Sequence, residues 1–227
     1  MFEEKPQSLQ QRVTDLAAEA LQSGQPATWF EPLYQQAQGD TGQVPWAKLE
    51  PHPYLQEWLE VEAIQGKGQS VLVIGCGLGD DAELLAKLGF KVTAFDVAPT
   101  AIAWCQQRFP NSSVDYQVAD LFKLPQSWQQ RFDLVVEIRD IQALPLSVRT
   151  DVIKAVASPV AVAGTLFIVT RIRDHGTIPD GPPWPLSDQE LAQLHELGLK
   201  EHDRVQFTVS EQPEVRQVRL VYQRITA

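Results

Sequence analysis

The run Val73-Ile74-Gly75-Cys76-Gly77-Leu78-Gly79-Asp80 joins an apolar, β-branched stretch to what reads as a helix. Glycines let a chain turn tightly and let a ligand approach the main chain with no Cβ in the way. Amides at the start of the following helix then face that ligand. The bland reading is a purely structural tight turn. Dinucleotide loops follow G-x-G-x-x-G/A, whereas the spacing here is G-x-G-x-G, with Asp80 where the third small residue would fall. An acid there repels phosphates, so the loop suits a cationic or zwitterionic ligand. Two further acids sit at comparable points. Asp96 ends the next apolar run, where a carboxylate can accept hydrogen bonds from both hydroxyls of a ribose; its other reading is a helix cap. Asp120 follows Val118-Ala119, where an acceptor can take an adenine amino group with Leu121 or Phe122 against the ring; its other reading is a solvated loop aspartate.

Three consecutive strand ends thus carry a glycine loop, an acid and an acid. As a set this resembles the motifs of the Rossmann-like (class I) S-adenosylmethionine-dependent methyltransferases over residues 68–225. The resemblance implies that Gly75, Cys76, Gly77 and Gly79 hold the methionine part of S-adenosylmethionine. It places Asp96 at the ribose and Asp120 at the adenine edge, with Val97 and Leu121 among the cofactor contacts. It puts Glu137 and Ile138, after the fourth strand, along the cofactor, with Ile138 against adenine. Upstream, Trp29-Phe30-Glu31, Val44-Pro45-Trp46, Pro51-His52-Pro53-Tyr54-Leu55 and Trp58 resemble the N-terminal segment of thiopurine and halide/thiol methyltransferases, which lies over the cofactor.

Methyl transfer from a sulfonium is an in-line displacement. The protein must exclude water, align the acceptor and manage charge. A general base is needed only for an acceptor still protonated at working pH. The fourth strand ends in Glu137-Ile138-Arg139-Asp140 and the fifth in Thr170-Arg171-Ile172-Arg173-Asp174-His175. One expectation is that Arg139, Arg171 and Arg173 receive an anionic acceptor. The other is that they form surface ion pairs with Glu137, Asp140 and Asp174. Arg139 and His175 are the candidate catalytic residues, His175 as a base near neutral pH or as a merely exposed histidine. Trp184 is expected to cap the substrate pocket from a Pro/Gly-rich loop, with Arg171, Trp29, Tyr34 and Trp46 in its wall; core packing is the alternative for each aromatic.

These residues need a scaffold. Short apolar runs at 70–74, 91–96, 114–118, 132–137, 164–171, 204–209 and 215–222 read as strands. Amphipathic or capped segments at 80–88, 99–108 and 147–157 read as helices between them. So does one opened by the capping box Ser187-Asp188-Gln189-Glu190. The alternation predicts an α/β fold: a doubly wound, seven-stranded, mostly parallel sheet with an antiparallel end strand. The last two strands, joined by a turn around Glu211-Gln212-Pro213, must pair antiparallel. Helices at 7–23, 29–36 and 53–65 precede the sheet, which divides the chain into an N-terminal helical cap (1–66) and a sheet domain (67–227).

Composition narrows the partners. Net charge is −10, and residues 1–60 hold nine acids against three bases. That excludes the basic footprint of a nucleic-acid binder and disfavours an anionic membrane surface. Cys76 and Cys105 form no CxxC, so neither a metal site nor a disulfide framework is expected. The acidic N-terminus has no apolar run, and the expectation is a cytoplasmic protein acting on a small molecule. Two other readings stay open: a module that binds S-adenosylmethionine without catalysis, and a nicotinamide-dependent oxidoreductase.

Overall fold

A computed structural model describes residues 8–209 and 215–225. Apolar β-branched runs pair into one sheet of seven strands: β1 (Ser70–Val73), β2 (Lys91–Asp96), β3 (Asp115–Val118), β4 (Phe132–Ile138), β5 (Val160–Ile172), β6 (Leu199–Val209) and β7 (Val215–Arg224). Their order is β3-β2-β1-β4-β5-β7-β6. The first five run parallel, and β7 is antiparallel to both β5 and β6. The expected sheet is therefore present. Its antiparallel strand is the last of the chain, seated one place in from the edge. The turn proposed around Glu211-Gln212-Pro213 lies outside the described residues.

Both faces are covered, as a parallel sheet requires. Leu72 and Val135 face one apolar cluster, while Val71, Val73, Leu134 and Val136 face another. This alternation decides below which residues at the tip of β4 reach the site. The crossover helices are α4 (Asp80–Lys87), α5 (Pro99–Arg108), α6 (Arg149–Ala157) and α7 (Asp188–Glu196). The capping box of α7 is formed in both directions, which satisfies two helix-start amides at once. Among the described residues no helix is long and apolar enough to cross a membrane.

Three helices come first: α1 (Leu9–Gln22), α2 (Phe30–Ala37) and α3 (Pro53–Val61). The stripe of α1 buries Val13, Ala17 and Ala20 against Trp29, Leu33 and Trp184. His52 caps α3, its side chain accepting from Tyr54 N with Pro53 in the first turn. Trp58 then packs on Phe167 of the sheet at 4.8 Å between ring centroids. So α1, α2 and the segment between α2 and α3 stand over the carboxyl ends of β1, β2 and β4. There the strand order reverses, and open α/β sheets form their binding crevice.

Candidate functional site

The glycine loop turns from β1 into α4, with Gly79 at the helix cap in the left-handed region (φ 89°). Gly75 is also left-handed (φ 53°), and a Cβ there would run into the Asp140 carboxylate. Its type is fixed twice over, by backbone and by neighbour. Asp96 closes β2 beneath the loop. Its Oδ2 accepts Gly77 N at 3.1 Å and its Oδ1 accepts Ala98 N at 2.9 Å. It thus shapes the turn into α5 and pins the glycine loop, leaving one lone pair on each oxygen. Burial pushes its carboxyl up to about 6, against those two amide bonds.

Two cavities meet at Asp96, Ile74, Gly75 and Asp140. The smaller is apolar, with Val97, Ala119, Leu121 and Phe122 in its wall. The larger, about 390 Å³, runs under α2 and holds Gly75, Cys76, Gly77, Trp29, Tyr34 and Trp46. Trp46 donates its indole N–H to Tyr34 Oη at 2.8 Å and meets Trp29 edge-on at 5.8 Å. The three aromatics therefore form one braced wall.

Acids crowd the loop end of the larger cavity. Asp80 is clamped by Arg108 through both oxygens, at 2.8 and 2.7 Å, so the charge that the sequence argument assigned to it is already balanced. Asp81 lines the cavity too; its Oδ1 accepts His52 N at 2.6 Å, and burial raises its carboxyl to about 6. Asp140 borders both cavities, and burial together with Glu137 holds its carboxyl well above the usual range. Asp140 Oδ2 is buried without a partner.

The same cavity also carries cations. Arg139 and Arg171 both line the larger cavity, and among the described residues neither has an ion pair. Arg139 donates to Gln217 Oε1 at 2.8 Å, and the Nε of each arginine is buried without a partner. Desolvation and the neighbouring Arg171 lower the Arg139 pKa. His52 lines this cavity as well. Burial, then Arg139, lowers its pKa to about 4, which leaves the imidazole neutral at pH 7.

Several sequence expectations need correction. Glu137 reaches neither cavity. It shares a strand face with Val135, and its Oε1 accepts Asp140 N (2.6 Å) and Ile141 N (3.0 Å), fixing the turn that presents Asp140. Ile138 lies in the larger cavity, apart from Leu121 and Phe122, because strand alternation puts it with Val136. Asp120 spends Oδ1 on Phe122 N at 2.9 Å, and its Oδ2 lies 3.3 Å from Lys123. Arg173 leaves the expected arginine cluster to pair with Glu190 at 2.9 Å, and Asp174 pairs with Arg216. His175 is exposed and lines neither cavity. Trp184 is packed in the α1 cluster, its main-chain N–H donating to Gln142 O at 2.6 Å; Pro182 and Pro183 reach the cavity in its place. His52 and Asp81 were missed. The available signals were a histidine between two prolines and a second acid beside Asp80.

The sequence pattern of the thiopurine S-methyltransferase (TPMT) family matches residues 35–225. The chain belongs to the thiopurine S-methyltransferase family. That family is one of class I S-adenosylmethionine-dependent methyltransferases, and its cofactor is S-adenosylmethionine. The family match takes in the whole glycine loop and both arginines, and starts after Trp29 and Tyr34. Among curated proteins, the ubiquinone biosynthesis O-methyltransferase of Xanthomonas campestris is 35% identical over 108 residues, 47% of this chain and 44% of its own length. Nodulation protein S of Sinorhizobium fredii is 37% identical over 97 residues, 40% of this chain and 44% of its own. The chain spans less than half the length of these curated relatives. Solved structures share the fold. The N-methyltransferase NodS of Bradyrhizobium japonicum, in complex with S-adenosylhomocysteine, has a TM-score of 0.62 at 22% identity over 85% of this chain and 98% of that one. The cyclase SpnF has a TM-score of 0.72 at 15% identity over 90% and 97%. A fold shared with a cyclase does not fix the chemistry of a thiopurine S-methyltransferase family member.

Proposed function

We propose that this protein binds S-adenosylmethionine across the two joined cavities and transfers its methyl group to an anionic small-molecule nucleophile. One observation carries the reading. Asp81, Asp96 and Asp140 line the same cavity as Arg139 and Arg171. A ligand with cationic centres near the loop and an acceptor carrying negative charge would satisfy both. In this reading Val97, Leu121 and Phe122 flank the adenine, Asp96 takes the ribose hydroxyls, and Gly75, Cys76 and Gly77 line the methionine portion. Residues up to 66 act as the cap and residues from 67 as the catalytic sheet domain.

S-adenosylmethionine supplies an electrophilic methyl on a positive sulfur. The chain's own contribution is placement. Arg139 and Arg171 hold the acceptor by charge-assisted hydrogen bonds. Trp29, Tyr34 and Trp46 exclude water from the line of displacement. Positioning of this kind supplies roughly 7–11 kcal/mol in favourable cases. An attacking atom that is itself ionised has no proton to lose, whereas a phenol, thiol or amine that attacks in its protonated form gives its proton to water. Incubation with methyl-labelled S-adenosylmethionine and a panel of thiols, amines and phenols, each with and without a carboxylate, tests the reading. Labelled product and S-adenosylhomocysteine should form, fastest with the carboxylates. Cofactor binding with no transfer to any acceptor would instead mean a non-catalytic binding module, and binding of NADH alone would mean an oxidoreductase.

A pH dependence follows from the raised carboxyls. Asp81 and Asp96 titrate near 6 in the free protein, against an ordinary 3.8. A folded-state carboxyl raised in this way binds more protons than its unfolded counterpart between those values. Its stabilising contribution is complete below about pH 4 and is lost as pH rises through about 6. A bound cation reverses that loss by favouring the ionised forms. The gain in Tm on adding S-adenosylmethionine is therefore expected to be larger at about pH 7.5 than at about pH 5. Thermal melts at both pH values measure it, and equal gains would contradict the role given to these acids.

A further inference from the structure

We infer that Gln142 presents its side-chain NH₂ to the methyl acceptor and makes the site select a group that only accepts hydrogen bonds, a carboxylate over the isosteric carboxamide. This rests on the proposed function and adds an uncharged filter to the two arginines.

Gln142 lies in the short turn Ile141–Ala143 that follows β4. It is only 5% exposed, yet it lines the larger cavity and not the smaller one. Its position is held from several sides. Glu137 fixes the turn by accepting Asp140 N and Ile141 N. The main-chain O of Gln142 accepts Trp184 N at 2.6 Å. Its side-chain Oε1 accepts Arg171 N at 2.6 Å and Thr170 Oγ1 at 3.2 Å. A main-chain N–H can only donate, so the atom facing Arg171 N must be the oxygen, and the amide has one orientation.

The nitrogen of that amide has no partner. Among the described residues Nε2 makes no hydrogen bond, and it is not one of the side-chain atoms shut away from solvent without one. A donor pair on a nearly buried, oriented side chain therefore has the cavity as its outlet. Arg171, whose main-chain N–H sets the amide, lines the same cavity, as does Arg139. Guanidinium and amide NH₂ groups donate only. The arginines attract any anion, whereas the amide adds direction, because its N–H needs a lone pair in line. A carboxylate offers lone pairs on both oxygens. A carboxamide seated against these three side chains turns its own NH₂ on a donor whichever way it lies, and leaves both donors unpaired.

The test uses the full chain saturated with S-adenosylhomocysteine. The probes are benzoate and benzamide, which suit a cavity walled by Trp29, Tyr34 and Trp46 and differ only in one oxygen replaced by NH₂. Ligand-observed NMR titration gives both dissociation constants. Wild-type protein is expected to prefer benzoate by about 10- to 100-fold. Gln142→Glu keeps an oxygen on Arg171 N and turns the donor into an acceptor. There the preference should fall by about tenfold or more, with benzamide bound at least as tightly as before. Gln142→Met has neither donor nor charge and should also lower the preference by about tenfold. Affinity for S-adenosylhomocysteine should hold in both variants, which shows a folded site. A preference that survives in both would overturn the inference. Equal weakening of the two probes would overturn it by reducing Gln142 to a brace for Arg171. Wild-type protein that binds S-adenosylhomocysteine but shows no preference would discard the anionic acceptor of the proposed function, and the inference with it.

Discussion

Asp96→Asn is expected to weaken binding of S-adenosylhomocysteine by about one to two orders of magnitude while leaving a folded protein. The native carboxylate is two-sided. Its oxygens already accept Gly77 N and Ala98 N, and in the proposed function their remaining lone pairs take the ribose hydroxyls. An asparagine can offer an acceptor to only one of those amides, and its NH₂ must face the other. A buried amide left unpaired costs about 1–3 kcal/mol, and a lost hydrogen bond to a charged group about 1.5–3 kcal/mol. At about 1.4 kcal/mol per tenfold, the second sets the expected loss of affinity. The first cost falls also on the free protein and lowers its Tm; the second appears only with ligand. Calorimetry alongside a thermal melt separates them. A variant with lower Tm but unchanged affinity would mean that Asp96 only shapes the loop.

Arg139→Met and Arg171→Met together are expected to raise KM for a carboxylate-bearing acceptor by about 100-fold or more, with a much smaller change in kcat. Each arginine stands in the larger cavity with a buried, unpartnered Nε, which a bound carboxylate would satisfy. Methionine keeps the aliphatic length and removes the charge. Acceptors without a carboxylate should lose little, because they never met that charge. Arg139 also holds Gln217 at 2.8 Å, so Arg139→Met is expected to cost some stability and Arg171→Met less. Steady-state kinetics on a matched acid and amide give the answer. An equal KM change for both would discard the anion-binding role.

The sheet was readable because each buried strand is a short apolar run between glycines and polar turns. Lys91–Asp96 is strand over its predicted span. The failures are physical. The first half of β6, Lys200 to Asp203, is polar and looks like loop. It is strand because β7 pairs with its backbone, and an edge strand needs no apolar run. The start of β5 was missed because Ala161 and Ala163 carry no strand signal; Val160 pairs with Phe132 across a register shift.

Legibility of the site followed chain distance. The glycine loop and Asp96 could be found because their roles depend on neighbours within a turn. Choosing between Asp80 and Asp81 required knowing that Arg108, on another helix, claims the first. Glu137 was recoverable, since alternation along β4 sets it opposite Val136 and Ile138. Trp184 was not, because its place depends on α1 and on the carbonyl of Gln142. His175 and His52 show the same limit: chain position suggested the exposed one, and folding set the other, half-buried, beside Arg139.

A crystal structure with S-adenosylhomocysteine bound tests the central claim most directly. The account predicts the adenine between Val97 and Leu121, both ribose hydroxyls on Asp96, and the thioether sulfur opening toward Arg139 and Arg171. A nucleoside seated away from Asp96, or a sulfur turned away from the arginine end, would contradict it.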